Sequence, residues 1–534
     1  MNSTRRRSQW FYSAMTSALL LTGLAIPASA WSAEAGSWSF AGGDLRNSRY
    51  QDAEHTLSVD NVGALVVRWV FTTAGDVSAT PAVDASTVYV PDWAGYLYAV
   101  DKYSGALKWA AHIPSATGVL SDKARTTPAV TKDKVIVGTT GAILVGGGAG
   151  GKLLAFDKLS GALVWSTQLD THPAAVVTQS PTVFAGRVYV GVSSVEEILA
   201  AIVPEYPCCS FAASMFALAE DTGARLWKTS MVPTGFSGGA IWGSSPSVDA
   251  KRGQIYIATG NNYSVPPSVL ACVAEAGSDP IATTACLPSD DHFDSVLALD
   301  LRTGAVKWAT RAIPYDAYTV DCLPVFGDGG NCPSPAGPDF DFGQAPALFM
   351  VKGVNGNKRP IELVGAGQKS GQYWTLNPDT GAVQWVAHAG PGGYSGGLQW
   401  GSAVDGARVY TANANSNRIP WPGAADPTSG VWTGLDAASG TLLWQARPPD
   451  GGSTSGPVTT ANGVVFGCSL DPLGHMYALN GATGAVLWSF VSGGSCLSGA
   501  AISDGMLFWG SGYGNLNGFY GTPNNKLYSF GLPN

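Results

Sequence analysis

The sequence predicts an all-β chain folded as an eight-bladed β-propeller, and three features point that way. One unit recurs: "YAVDKYSGALKWA" ends at Trp109, "LAFDKLSGALVWS" at Trp165, "FALAEDTGARLWK" at Trp227 and "LALDLRTGAVKWA" at Trp308, with further copies ending at Trp385, Trp444 and Trp488. A shorter element with Pro and Val precedes most copies, as in "TPAVDASTVYV" and "SPTVFAGRVYV", so each unit holds about four strands. The chain ends carry complementary halves: "ALVVRWVFT" around Trp69 has the second half of the unit, and the terminal "NKLYSFGLPN" has the first.

Each copy alternates apolar and polar residues up to a Thr/Ser-Gly pair, then alternates again to its tryptophan, the pattern of a tight hairpin whose Gly supplies a positive φ. A four-stranded unit cannot bury its faces alone, so the units stack and the array closes into a ring. The two terminal halves then interlock as an eighth blade. An open array would leave two unpaired edges.

Residues 1–30 carry Arg5, Arg6 and Arg7, an apolar run and an Ala28-Ser29-Ala30 site, which reads as a cleavable secretory signal. Ser8 and Gln9 follow the arginines where a twin-arginine signal would have an apolar pair, so the general secretory route is expected. The mature chain, 31–534, is then expected as one propeller domain, periplasmic or secreted. No later stretch reaches the roughly 18 consecutive apolar residues of a membrane helix, so no membrane insertion is expected. Charged residues make up 13% of the chain, the net charge is -8, and no basic cluster follows the signal, which argues against nucleic acid.

The cysteines are Cys208, Cys209, Cys272, Cys286, Cys322, Cys332, Cys468 and Cys496, and an even count in an exported chain suggests disulfides. Cys272 with Cys286, and Cys322 with Cys332, flank short Gly/Pro/Ser-rich segments and read as staples of two long loops, 263–292 and 312–338. In "YPCCSF", Cys208 and Cys209 are chain neighbours, closer across a trans peptide than ordinary disulfide spacing. They read either as a bridge suited to redox chemistry or as two free or separately paired thiols. No Cys-x-x-Cys-His occurs, so no covalently attached haem is encoded.

With these repeats the chain resembles the eight-bladed quinoproteins that hold pyrroloquinoline quinone and oxidise alcohols. "SFAGGDLRNSRYQ" is similar to the family's N-terminal lead-in, and the last Trp of each repeat matches its docking pattern. Within the family, "YPCCSF", "GQKSGQYWTLNPDTG" and "GGLQWGSAVDG" look most like the polyvinyl alcohol dehydrogenase branch. Similar propellers serve as non-catalytic scaffolds in outer-membrane protein assembly, so site residues must separate the two functions.

A planar tricarboxylate quinone needs an aromatic platform, cations for its carboxylates, and a divalent metal with oxygen ligands. The resemblance implies Trp242 in "GGAIWGSSPSVD" as the platform, Arg125 in "KARTTPAV" and Lys369 in "AGQKSGQY" as the cations, and Ser180 as a hydroxyl contact. It implies Glu196 in "VYVGVSSVEE" and Asn261 in "IYIATGNN" as metal ligands, with Glu197 the rival of Glu196. The base, which is also a metal ligand, is implied at Asp339 in "PDFDFGQAPALF". Asp316 is a rival, because the family's preceding "HDxW" is weakened here to "YDAY" and the Cys322–Cys332 segment intervenes.

In alcohol-oxidising relatives a vicinal disulfide faces the quinone shortly before the arginine matched to Arg125. That position here holds Val119-Leu120, and Cys208-Cys209 follows Glu196 instead. The pair is expected either to reach the same funnel as a cofactor contact or to be structural. The implied cofactors are pyrroloquinoline quinone and calcium, with a lanthanide as the alternative because Asp341 adds a nearby acid. The implied partners are an alcohol or polymeric alcohol as substrate and a separate cytochrome c as electron acceptor.

Overall fold

The structure, a computed structural model, describes residues 1, 36–141, 150–352, 359–421, 428–514 and 521–533. The expected signal segment lies outside the described residues apart from Met1. Among the described residues there are eight four-stranded antiparallel sheets. In the first, Ala82–Val83, Thr87–Pro91, Tyr96–Asp101 and Leu107–His112 follow one another from the inner to the outer edge. Every residue of Thr87–Pro91 is buried, as is every residue of Lys134–Gly138 and Gln254–Ala258 in later blades, which explains their short continuous apolar runs. Along Leu107–His112 only Trp109 is fully buried.

The eighth blade is shared by the chain ends, as the half-units predict. Val66–Thr72 pairs with Lys526–Gly531, which continues into Met506–Ser511 and Ala501–Ser503. Docking between blades uses the repeat's two markers together. Trp69 Nε1 donates to Lys102 O, Trp109 to Lys158 O, Trp165 to Glu220 O, Trp227 to Leu301 O, Trp308 to Pro378 O and Trp444 to Gly481 O, each acceptor lying in the next blade. Trp488 Nε1 donates to Leu65 O at 3.1 Å and closes the ring.

The turn glycine lies on the face of the same ring. Gly105, Gly161, Gly223, Gly304, Gly381, Gly440 and Gly484 have φ of 69–74°, and a Cβ on any of them would come within 2.5–2.8 Å of a tryptophan of the preceding blade. Any larger residue would therefore strain the turn and separate the blades.

Residues 38–51 stitch the inner strands together. Trp38 pairs with Val83, and the carbonyls of Ser39, Leu45, Arg46, Ser48 and Arg49 accept from Val130, Val248, Leu348, Val404 and Thr460. Gln51 Nε2 reaches Ile502 O. Arg49 is buried and donates to Val458 O, Ala41 O and Thr80 Oγ1, and burial without a carboxylate lowers its pKa to about 9.

The long segment 263–292 is more ordered than its composition suggests. It contains helices Pro267–Ala276 and Pro280–Ala285, each starting on a proline whose missing N–H costs nothing at that position. Asp279 caps the second by accepting from Ile281 N and Ala282 N. The cysteines form Cys208–Cys209, Cys272–Cys286, Cys322–Cys332 and Cys468–Cys496. Both loop staples form as the sequence suggests. No helix among the described residues is long and apolar enough to cross a membrane.

Candidate active site

In an antiparallel four-stranded blade the turn after the second strand and the exit from the fourth lie at the same end. Glu196, Cys208, Cys209, Asn261 and Lys369 occupy second-to-third connections; Arg125, Ser180, Trp242, Asp339 and Asp341 occupy fourth-to-first connections. All the sequence-derived candidates are thus delivered to one end of the propeller.

Five of these residues converge. Lys369 Nζ lies 2.8 Å from Asp339 Oδ1 and 3.0 Å from Asp341 Oδ2, with all three side chains buried. The ammonium also sits 5.4 Å from the centre of the Trp242 ring. Asp341 Oδ2 accepts from Trp242 Nε1 at 3.0 Å, while its Oδ1 accepts from Asn261 N at 2.7 Å. Gly260 is required beside it, since a Cβ there would meet Asp341 Oδ1 at 2.6 Å. Gly343 is required under Trp242, where a Cβ would meet the indole at 2.7 Å.

The Asn261 amide nitrogen donates to Asn262 O and Tyr318 O, leaving its Oδ1 buried without a donor. A buried amide oxygen without a hydrogen bond is costly unless a cation or water meets it. Together with the neighbouring carboxylates it forms an oxygen-only donor set, which fits a hard divalent cation.

Asp339 has φ of 59°, a strained backbone position of the kind found at functional sites. Asp316 holds it there, accepting from Asp339 N and Phe340 N. Burial pushes the Asp339 carboxyl well above the ordinary carboxylate range; Lys369 opposes the shift, and Asp341, Glu197 and Asp316 add to it. Behind Asp316 lies fully buried Asp294, whose carboxyl is also driven far up by burial and by Asp316. Asp316, a rival for the base, therefore supports the Asp339 loop through its backbone.

The two adjacent glutamates separate. Glu196 is fully buried and turned onto backbone: its carboxylate accepts from Ser210 N at 2.9 Å and Phe211 N at 2.8 Å, and lies 3.4 Å from His172 Nε2. Burial alone would raise its pKa, but His172 and these N–H groups together hold it below the ordinary value. Glu197 is raised to about 7 by burial, with Lys369 opposing and Asp341 and Asp316 adding, so its carboxylate shares the field of the Lys369 cluster. Glu196 is thus committed to backbone N–H groups, while Glu197 feels the charges of Lys369, Asp341 and Asp316.

Arg125 and Ser180 stand apart from that cluster. Ser180 Oγ accepts from Thr127 N at 3.0 Å and keeps its own proton to donate. The Arg125 guanidinium lies 4.5 Å from the Trp400 ring centre, 5.3 Å from Trp93 and 5.8 Å from Tyr513, and forms no ion pair among the described residues. Trp400 also meets Trp242 edge to face at 5.1 Å, which links the aromatic cage to the proposed platform. The sequence contains a signal for Trp400: "GGLQWGS" repeats the Gly-Gly-x-x-Trp-Gly-Ser spacing of "GGAIWGS" around Trp242. Trp93 and Tyr513 have no such marker.

Cys208 and Cys209 precede the two residues whose N–H groups hold Glu196, and Cys209 O accepts from Ser264 Oγ at 3.3 Å. These contacts tie the pair to the Glu196 support, beside the site. A separate Asp450–Asp471–His475 group is knit into blade seven by Ser469, Tyr477 and the His475 backbone.

Comparison with known proteins shows what the chain as a whole is similar to. The profile of the PQQ_2 family, described as "Outer membrane protein assembly factor BamB", matches residues 58–310 and 371–518. A polyvinylalcohol dehydrogenase of Sphingopyxis sp. (strain 113P3) is 29% identical, over 93% of this chain and 77% of its own. Another from Pseudomonas sp. is 28% identical with the same coverage. The crystal structure of quinohemoprotein alcohol dehydrogenase from Comamonas testosteroni superposes with a TM-score of 0.68 at 19% identity, over 93% of this chain and 80% of that one, and so shares the fold. The chain belongs to the PQQ_2 family.

Proposed function

We propose that this protein oxidises secondary hydroxyl groups of polyvinyl alcohol or its oligomers, with pyrroloquinoline quinone and calcium bound, and passes the electrons to a separate cytochrome c. The observation that carries the reading is Asp339, a buried, strained carboxyl of raised pKa beside an orphaned amide oxygen, an indole platform and a buried ammonium. When bound, the quinone supplies the two-electron acceptor and calcium supplies Lewis acidity.

The chain's own residues do the rest. Asp339 takes the substrate hydroxyl proton, and burial, which raises its pKa, makes its carboxylate a stronger base than an exposed one. Lys369 holds Asp339 in position and limits its pKa rise. Trp242 provides the flat surface, oriented by Asp341. Arg125 and Ser180 offer N–H and O–H donors to the quinone's carboxylates and carbonyl oxygens. Glu197, Asn261 and Asp339 would hold calcium, and Glu196 fixes the start of the helix that carries Glu197. Asp341 is already committed to Asn261, Trp242 and Lys369, which favours calcium over a lanthanide that would need it as an additional ligand.

The polymer assignment is supported by the two polyvinylalcohol dehydrogenase relatives. A cytochrome c acceptor is supported by a relative from Pseudomonas sp., 25% identical, that is named "Lupanine 17-hydroxylase [cytochrome c]". Four disulfides and the signal-like residues 1–30, to be removed from a mature 31–534 domain, support a periplasmic or secreted location. Purified protein loaded with calcium and pyrroloquinoline quinone is expected to turn over polyvinyl alcohol and 2,4-pentanediol in a dye-linked assay, faster than methanol. No dye reduction with any alcohol would overturn the reading. The family profile's description favours a second reading, a non-catalytic scaffold; failure to take up either quinone or calcium would support it.

A further inference from the structure

Between the two disulfide-stapled segments lies an open pocket of about 410 Å³ that none of the candidate site residues lines. Val273 lines it from the first helix, Pro280 and Thr283 from the second, and Pro314, Tyr315 and Pro335 from the facing segment. Cys272–Cys286 fixes the helical wall and Cys322–Cys332 the other segment, so the walls are covalently braced. Tyr315 Oη donates to Pro335 O at 2.7 Å and fixes the floor.

Two properties say what the cavity accepts. Its lining contains methyl, pyrrolidine and hydroxyl groups and no charged side chain, which suits an uncharged chain of alternating methylene and hydroxyl-bearing carbons better than an ion. It also lies near the site along the chain. Tyr315 is bonded to Asp316, which holds the Asp339 backbone, and Ala336 of the lining is three residues from Asp339, within about 11 Å along even an extended chain.

We propose that this cavity is a binding subsite for a segment of polymeric secondary alcohol remote from the carbinol being oxidised. The inference rests on the proposed function and extends it from the reacting centre to the polymer chain. The subsite lowers the KM for a polymer that reaches both places and leaves a short alcohol unaffected.

The test uses Ala274→Trp, which fills the cavity from an exposed helical position. In loaded enzyme, kcat/KM for polyvinyl alcohol should fall roughly tenfold, mainly through KM, with turnover of 2,4-pentanediol within about twofold of the parent. Equal effects on both substrates, or none on either, would overturn the subsite. If the parent oxidises no alcohol, the proposed function fails, and the subsite is decided by equilibrium binding of fluorescently labelled polyvinyl alcohol to parent and Ala274→Trp proteins. Weaker binding by the variant would sustain the subsite and equal binding would end it. Ala274→Ser, which leaves the cavity open, should behave as the parent in every arm.

Discussion

The indole nitrogen of Trp242 donates to Asp341 Oδ2 at 3.0 Å, and the same carboxylate accepts the Asn261 N–H through its other oxygen. The ring and the amide ligand are therefore set by one side chain. Asp341→Ala should weaken quinone binding about tenfold, the worth of a charge-assisted hydrogen bond that orients the ring. Titration of the tryptophan fluorescence with pyrroloquinoline quinone measures this, and Asp341→Asn should recover part of the loss. Unchanged affinity in Asp341→Ala would mean that Trp242 is oriented by packing alone.

Lys369 neutralises two buried carboxylates at once. Lys369→Met leaves Asp339 and Asp341 facing each other, and breaking a buried pair in this way costs about 3 kcal/mol. Denaturant unfolding should show that loss at neutral pH, and calcium should restore part of it by supplying the missing positive charge. A variant as stable as its parent would show that both acids are already protonated.

The glutamates should separate by readout. Glu196→Gln should cost about 2 kcal/mol of stability through its weakened backbone clamp, with calcium uptake preserved. Glu197→Gln should lose calcium binding in isothermal titration with little change in stability. Because the folded Glu196 carboxyl is held below its ordinary value of 4.5, its stabilisation is fully present above that value and is lost as pH falls through the folded pKa. The Tm gap between parent and Glu196→Gln should thus hold steady down to about pH 5 and close in stronger acid. A gap that widens on acidification would contradict the clamp.

Arg125 is held by rings instead of a carboxylate, which leaves its N–H groups for an anion. Trp400→Ala should weaken quinone binding by roughly tenfold, and Trp400→Phe should keep most of it, since the phenyl face still stacks the guanidinium. Equal loss in both variants would point to the Trp400 indole nitrogen instead.

The propeller was legible because its docking signal must recur: each blade needs a Trp to cap the next and a Gly thin enough to lie on the neighbouring ring. Trp242, Asn261, Asp339 and Lys369 were legible through the segments around them, and the structure gathers all four. The choice between Glu196 and Glu197 was not legible. Consecutive residues at a helix start point about 100° apart, so a register of one residue separates the two carboxylates, and the Ser210 and Phe211 N–H groups that hold Glu196 lie in a segment whose approach no pattern around Glu196 reports. Residues 38–51 bind inner strands through backbone atoms, which side-chain patterns cannot report. The helices at 267–276 and 280–285 were hidden by the Pro and Ser richness of their segment, although each begins on a proline suited to a first turn.

The central claim is that Asp339 accepts the hydroxyl proton, and Asp339→Asn loaded with calcium and pyrroloquinoline quinone tests it most directly. Asparagine keeps the shape and an oxygen toward Lys369 but cannot take a proton. Dye-linked turnover of 2,4-pentanediol should fall at least a hundredfold, within the range of about 10² to 10⁴ that a general base contributes, with quinone still bound by absorbance. Turnover within a few-fold of the parent, at equal quinone loading, would contradict the account.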